Sequence, residues 1–415
     1  MRARSAVGKG SPGRFLLLLA AASLMAGCGV QGSRAPSSRP PGRRASSTSR
    51  APGATASAGL QAIAMTTPRA GAAISLSMLY QTDNAGHTWV PVHPVGSHSR
   101  LSAGPDGRLL LVSLTMSSDS RLQITTGVLA PGESWRFESA PLPRSTRAGE
   151  GYPELRCSIR TDKTLWCLDT LAGGTGRDAT QLWETVNGGA SWTALGEGDT
   201  PAGTTTLGIK GTAVATTSID GWLPASTLVT VSGAPESPVL YQTADGGATW
   251  TPASVPAPRF SGTPGTWQLN APIPVPTSAA WVTVASAENA AATVTRLSVL
   301  SAPTANGQWA RTGQPILMRG VPPVVRLFAA GSRVWWLWTG QRLYRTVNAA
   351  RTWAAMPLPP RLAASIQSGR VSSCADFVGP RTGFVLLQSP SGPGVLWEFA
   401  RGGWSAFSPR LLARS

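Results

Sequence analysis

Tyr152 and Glu154, in the phrase GYPELRC, stand two residues apart, so on a strand both side chains point the same way. A phenol beside a carboxylate is one way to build a nucleophile for glycoside cleavage, but that chemistry also needs a second acid at a defined separation. The other acids are scattered and no second carboxylate can be picked out, so Tyr152 and Glu154 read as a surface pair and catalysis is not expected. His87, His93 and His98 are the only histidines, two of them sharing the loop HPVGSHS, and no cysteine has metal-ligand spacing. The glycine-rich AGGTGRD at Ala172 lacks the Lys-Ser/Thr ending of a phosphate loop and reads as a strand connection. These residues imply neither a metal nor a cofactor.

Two cysteines do suggest covalent chemistry. Cys157 and Cys167, in LRCSIRTDKTLWCL, fall on neighbouring strands across one turn, the arrangement of a disulfide in an oxidising compartment. Cys374 lies in an apolar stretch and reads as a small buried hydrophobe.

The elements that position these residues begin after an export signal. Arg2, Arg4, Lys9 and Arg14 precede an apolar run, Phe15 to Ala26, that is too short to span a bilayer. Leu24, Met25, Ala26, Gly27 and Cys28 resemble the bacterial lipobox, with Met25 where an aliphatic residue is usual. The resemblance implies lipidation of Cys28 and cleavage before it, with a signal over 1–27. Two acyl chains at ~0.8 kcal/mol per buried methylene make a stable anchor. The mature chain is then expected outside the cytoplasm, lipid-anchored to the outer face of the bacterial cytoplasmic membrane.

Residues 28–59 are rich in Ser, Pro, Ala, Gly and Arg, with no acid and no aromatic residue. Such a segment cannot bury enough apolar surface to offset its ordering entropy and reads as a flexible tether. About half of the formal charge of +17 lies before the repeats: residues 1–60 hold nine Arg or Lys and no acid, leaving 27 basic against 19 acidic residues, or +8, for the rest. The tether arginines suit anionic headgroups or wall polymers, while the lack of interleaved aromatics argues against nucleic acid.

From Leu60 onward one phrase recurs: YQTDNAGHTW ending at Trp89, LWETVNGGASW at Trp192, YQTADGGATW at Trp250 and LYRTVNAARTW at Trp353. Degenerate copies end at Trp135, Trp309 and Trp404, so seven tryptophans recur at intervals of 46, 57, 58, 59, 44 and 51 residues. A period near fifty with several short strands in each unit is that of a four-stranded propeller blade. Between the tryptophans lie turn-plus-strand runs such as PDGRLLLVSL and GSRVWWLWTG, which read as second strands. The fold expected for 60–415 is all-β, a seven-bladed β-propeller of four-stranded blades.

The phrases resemble the Asp-box or BNR repeat, and with the strand runs they are similar to photosystem II assembly-factor-like and sortilin-type propellers. The resemblance implies a structural role for Thr82, Asn84, Gly86 and Trp89, for Asn187, Gly189 and Trp192, for Asp245, Gly247 and Trp250, and for Asn348 and Trp353. It places these Asp-box hairpins on the rim away from the ligand face. Ala349 and Ala350 stand where glycine is usual, so that turn must avoid positive φ or tolerate strain. A sialidase would add an arginine triad and an Arg-Ile-Pro phrase, and neither is recognisable.

The opposite rim is expected to carry recognition, with Arg144, Arg147, Arg259 and Arg319 as the candidate ligand face and other charged loops near Arg100, Arg121, Arg177 and Glu197. Mixed charge there suits a protein or an acidic glycan better than an apolar small molecule. The reading is a non-catalytic binding or assembly scaffold for an unknown protein or glycan partner. The alternative is a BNR-type, sialidase-like glycoside hydrolase acting on extracellular glycans.

Overall fold

A computed structural model describes residues 59–413, apart from stretches at 105, 118–120, 143–153, 175–176, 196–200, 205–208, 217–219, 229–237, 257–263, 290, 369–372 and 390–391. The signal and the tether expected for 1–27 and 28–59, with Cys28, lie outside the described residues save for residue 59. From there the chain forms a seven-bladed β-propeller of four-stranded antiparallel sheets.

Each blade runs outward from the ring centre. Blade 1 is Ala62–Met65, Gly71–Ile74, Met78–Thr82 and Thr88–Pro94; blade 7 is Ser373–Gly379, Thr382–Ser389, Gly392–Ala400 and Gly403–Phe407. The innermost strands of blades 2, 3 and 6 are His98–Ala103, Glu154–Ile159 and Arg326–Ala329. In blades 4 and 5 the innermost strand is broken in two, Ile209–Lys210 with Val214–Ala215 and Pro264–Leu269 with Ile273–Pro274. Thr227 also pairs with Trp267, which joins the sheets of these two blades. The strands foreseen from PDGRLLLVSL and GSRVWWLWTG are the second strands Leu109–Met116 and Trp335–Trp338.

Packing explains the repeated tryptophan. Seven apolar clusters fill the seven gaps between neighbouring blades, and each contains one of the seven periodic tryptophans. Trp89 packs with Phe384, Leu386 and Leu396 between blades 1 and 7. Trp250 meets Trp166 edge to face at 5.9 Å, and Trp309 meets Trp222 at 5.5 Å. A large ring reaching the next blade is an efficient wedge, because offset and edge-on aromatic contacts add to the area buried.

The turn before each tryptophan is held by its own side chains. In the third of the four clear phrases Thr243 donates to Asp245 at 2.8 Å, the Gly247 amide donates to Thr243 at 2.9 Å, and the Thr249 amide donates to Asp245 at 2.9 Å. The same three bonds recur around Asn84, Asn187 and Asn348. Two residues per turn take positive φ. They are Gly246 and Gly247 in this one, whereas Ala349 and Ala350 adopt +56° and +63°, so the last turn keeps the geometry and bears the strain.

Ring closure uses the C-terminus. Arg410–Leu411 adds to the outer edge of blade 1 in parallel, with the Arg410 amide on the His87 carbonyl and the Leu412 amide on the Trp89 carbonyl, both at 3.0 Å. Phe407 stacks on His87 at 4.0 Å just before it. The single helix among the described residues, Pro360–Gln367, places Leu362 and Ile366 in the cluster between blades 6 and 7.

Candidate functional site: the inner wall of the ring

Seven innermost strands line one axis, and their direction decides which residues meet there. Met65, Gly71 and Thr82 lie side by side across blade 1, so the phrase after Thr82 sits where the innermost strand ends. The loops leading into the innermost strands therefore open on the opposite face.

Several of these strands carry a charged residue. Arg100 comes from blade 2, Arg156 from blade 3, Lys210 from blade 4, and Arg326 with Asp376 from blades 6 and 7. Arg156 and Lys210 are 6% and 0% exposed, which ordinary surface cations are not. The Arg156 guanidinium donates to the Lys210 carbonyl, fixing it against the next blade. Buried Asp169 stands opposite Leu155 on the second strand of blade 3. Arg100, Ser102, Leu155, Arg156, Cys157 and Thr212 line a small cleft among blades 2, 3 and 4 of about 20 Å³, room for about one water.

Asp376 is the acid at the seam between the last and first blades. Its Oδ2 accepts the Met65 amide at 2.6 Å, while Arg326 Nη1 reaches the adjoining Ala375 carbonyl at 3.4 Å. Burial raises the Asp376 pKa to about 6, against the lowering effect of the Met65 amide and the Arg326 charge. Desolvation likewise lowers the pKa of Arg326, with Asp376 opposing it. A half-buried carboxyl that exchanges its proton near neutrality can serve as a general acid or base.

The predicted site residues are distributed differently from this wall. Arg144, Arg147 and Arg259 lie outside the described residues, as does Tyr152, and nothing is described of the Glu154 side chain. Arg319 is exposed on Ile316–Arg319, a strand added outside the third strand of blade 5 and far from the inner wall in the order of the sheet. Cys157 and Cys167 face each other across the first two strands of blade 3 and are joined by a disulfide, with Cα atoms 4.0 Å apart. Cys374 is buried beside Ile63 and Phe384. Among the described residues no group of His, Cys, Asp and Glu is arranged to hold a metal ion. Asp376 went unnoticed in sequence, since SCADFVG reads as an ordinary strand, and only the ring brings it to residue 65.

No family model and no curated protein matches the chain. Solved structures similar to it include an ulvan lyase, described as a polysaccharide lyase, at 11% identity and a TM-score of 0.42 over 72% of this chain and 80% of that one. An α-L-arabinanase of Penicillium chrysogenum is 14% identical at a TM-score of 0.39, covering 74% and 92%. A Trypanosoma rangeli sialidase is 12% identical at 0.40, covering 63% and 48%. At these identities the likeness shows the fold alone. The expectation of a non-catalytic scaffold finds no counterpart among these neighbours, whose own descriptions are of a lyase, an arabinanase and a sialidase. No pair of carboxylates at a defined separation could be picked out in the sequence, and Asp376 is one acid that was passed over there.

Proposed function

We propose that the chain is a glycoside-cleaving enzyme acting on extracellular glycans at the ring centre, with Asp376 as its acid–base group. The observation that carries this reading is the position of Asp376 on an innermost strand with a pKa of about 6, beside Arg326. A glycosidic oxygen leaves only when protonated, and an acid still protonated near neutral pH supplies that proton. Glu154, at the head of the innermost strand of blade 3, is the other acid those strands carry. The hydrogen-bond pattern of the four turns supports assignment to the Asp-box propellers. The lipobox-like run ending at Cys28 and the acid-free tether support presentation of this ring on the outer face of the cytoplasmic membrane.

The test is a screen of the full chain against neutral and acidic polysaccharides, reading new reducing ends. Cleavage by the wild type should follow a pH profile with a limb near 6 and fall at least about a hundredfold in Asp376→Asn, the usual scale for a lost acid–base group. A folded protein that releases no sugar from any of them, or an Asp376→Asn variant of unchanged rate, overturns the proposal.

A further inference from the structure

We propose that the rim carrying the turn phrases docks on an anionic phospholipid bilayer through six arginines of blades 6, 7 and 1; this deepens the membrane presentation proposed above and is independent of glycan cleavage. Charge is divided unevenly along the chain. Residues 61–250 hold 12 basic residues against 16 acidic ones, a balance of −4, whereas residues 251–415 hold 15 arginines against Glu288, Asp376 and Glu398, or +12. None of those three acids is exposed. Arg333 and Arg381 stand in the turns between the first and second strands of blades 6 and 7, as Arg69 does in blade 1. Arg351 and Arg401 stand in the turns between the third and fourth strands of blades 6 and 7, and Arg410 lies on the strand added beside Thr88 of blade 1. Each of the three blades thus presents one arginine nearer the axis and one nearer the outer edge. All six are exposed, and among the described residues none of their side chains has an ion pair or a hydrogen bond. Asp83, in the turn of blade 1, is the one exposed acid among the described residues of these blades.

Blades 2 and 3 show the contrast on the same rim. There Arg108 pairs with Asp106, Arg136 with Glu133 and with Asp162 at 3.2 Å, and Arg160 with Glu184 at 3.5 Å. Those cations are neutralised within the fold, while the arc over blades 6, 7 and 1 keeps its charge for an external anion. A guanidinium presents parallel N–H donors that suit two oxygens of a phosphate. Six of them on separate turns of three blades spread over an area rather than along a line, which matches a plane of headgroups better than one extended polymer strand. Val347, 57% exposed in the same turn as Arg351, adds an aliphatic group to the contact. Docked this way, the loops leading into the innermost strands open away from the bilayer, toward arriving glycans. Residue 59 enters on that opposite rim, and a chain as long as 28–59 reaches up to about 100 Å when extended, so a lipid on Cys28 leaves this orientation free.

Co-sedimentation with phosphatidylglycerol vesicles tests this, using the full chain with Cys28→Ser so that no acyl chain contributes. Two charge-matched pairs are compared in that background. Arg381→Gln with Arg401→Gln alters the docking rim, and Arg342→Gln with Arg361→Gln alters exposed positions on the opposite rim of blade 6 and on the helix that follows it. A basic residue near an anionic surface strengthens binding about fivefold. The first pair should therefore weaken vesicle binding about tenfold or more, the second less than about threefold, and added salt should erase the difference. If the first pair melts early, Arg333→Gln with Arg351→Gln takes its place. Equal losses from the two pairs in folded proteins overturn the docking face. So does rim-dependent binding of soluble polyglutamate with no binding of vesicles, which would make the partner a polymer. Rim-dependent vesicle binding by a chain that cleaves no glycan would keep the docking without the enzyme. Equal losses, with glycan cleavage that Asp376→Asn abolishes, would do the reverse.

Discussion

The Met65 amide and the Asp376 carboxylate, 2.6 Å apart and 311 residues apart in sequence, join the first blade to the last at the ring centre. The Gln388 side chain bonds the Gln61 carbonyl across the same seam. An ionisable group at a closure point makes the closure depend on pH. Burial holds the Asp376 pKa at about 6, above the 3.8 of an unfolded aspartate. The folded state therefore binds this proton more tightly than the unfolded chain. The stability it contributes is fully present below about 3.8 and is lost as pH rises through about 6. Urea midpoints of wild type and Asp376→Asn, compared from pH 4 to 8, should show the variant gaining on the wild type as pH rises. A constant difference would contradict the assignment.

The outer half of the same seam is the C-terminal strand. Phe407 on His87, Leu411 against the blade 1–7 cluster, and two backbone bonds hold it to blade 1. Deleting residues 409–415 removes both bonds and two partly buried leucines, Leu411 and Leu412, a loss on the order of 2–4 kcal/mol at about 1 kcal/mol per bond plus the apolar area. A thermal melt should drop by several degrees. Removing only 413–415 should leave it near the wild-type value, since both bonds remain.

Much of this architecture was legible because packing repeats in sequence. A propeller gap needs one large wedge per blade, so its period survives even where the turn phrase has decayed, as before Trp135, Trp309 and Trp404. The Thr–Asx–Gly chemistry of the turns is local and was equally readable. Long-range relations were not. Nothing in SCADFVG marks Asp376 as a partner of Met65, because the relation exists only after the ring closes. The arginine loops were singled out for their charge and their expected place on the rim opposite the turns; of them Arg319 lies on an outer strand, while the cations of the wall, Arg156 and Lys210, sit in strands that look unremarkable in sequence. The parallel strand at Arg410 is too short to leave a pattern.

The turns allow a paired test of backbone strain. Ala349 holds φ +56° in a half-buried site, and a left-handed L-residue costs about 1–2 kcal/mol. Ala349→Gly should raise the urea midpoint, by less than that amount because glycine also gains freedom in the unfolded chain. The reciprocal change should fail badly. Gly189 has φ +111°, and a Cβ there would lie 1.9 Å from the hydroxyl oxygen of Thr126, which donates to the Gly188 carbonyl at 2.6 Å. Gly189→Ala should therefore cost more than about 2 kcal/mol through combined strain and overpacking. If it melts like wild type, the packing of this turn against blade 2 is wrong.

Asp245 differs from its three counterparts in carrying a charge where they carry an amide. Asn187 and Asn348 donate Nδ2 to Ser191 and Thr352 at 2.8 and 2.9 Å, whereas Asp245 can only accept and the Thr249 hydroxyl turns to donate to it. Although burial works to raise its pKa, the bonds from the Thr249 hydroxyl and amide, from Thr243 and from the Ala248 amide bring it below the usual value of 3.8. The sign is opposite to that at Asp376. A depressed carboxyl stabilises the fold above its unfolded pKa, and that stability disappears as pH falls through the folded value. Asp245→Asn should match the wild type near neutrality, since an amide already serves in the other turns. Below pH ~4 the variant should become the more stable of the two, because it retains its acceptor while the wild type protonates. Parallel acid titrations followed by tryptophan fluorescence would reveal this, Trp250 being adjacent to the turn and bonded through Nε1 to the Gly247 carbonyl at 3.0 Å. Coincident acid limbs for the two proteins would mean that the charged form of Asp245 is not favoured by the turn.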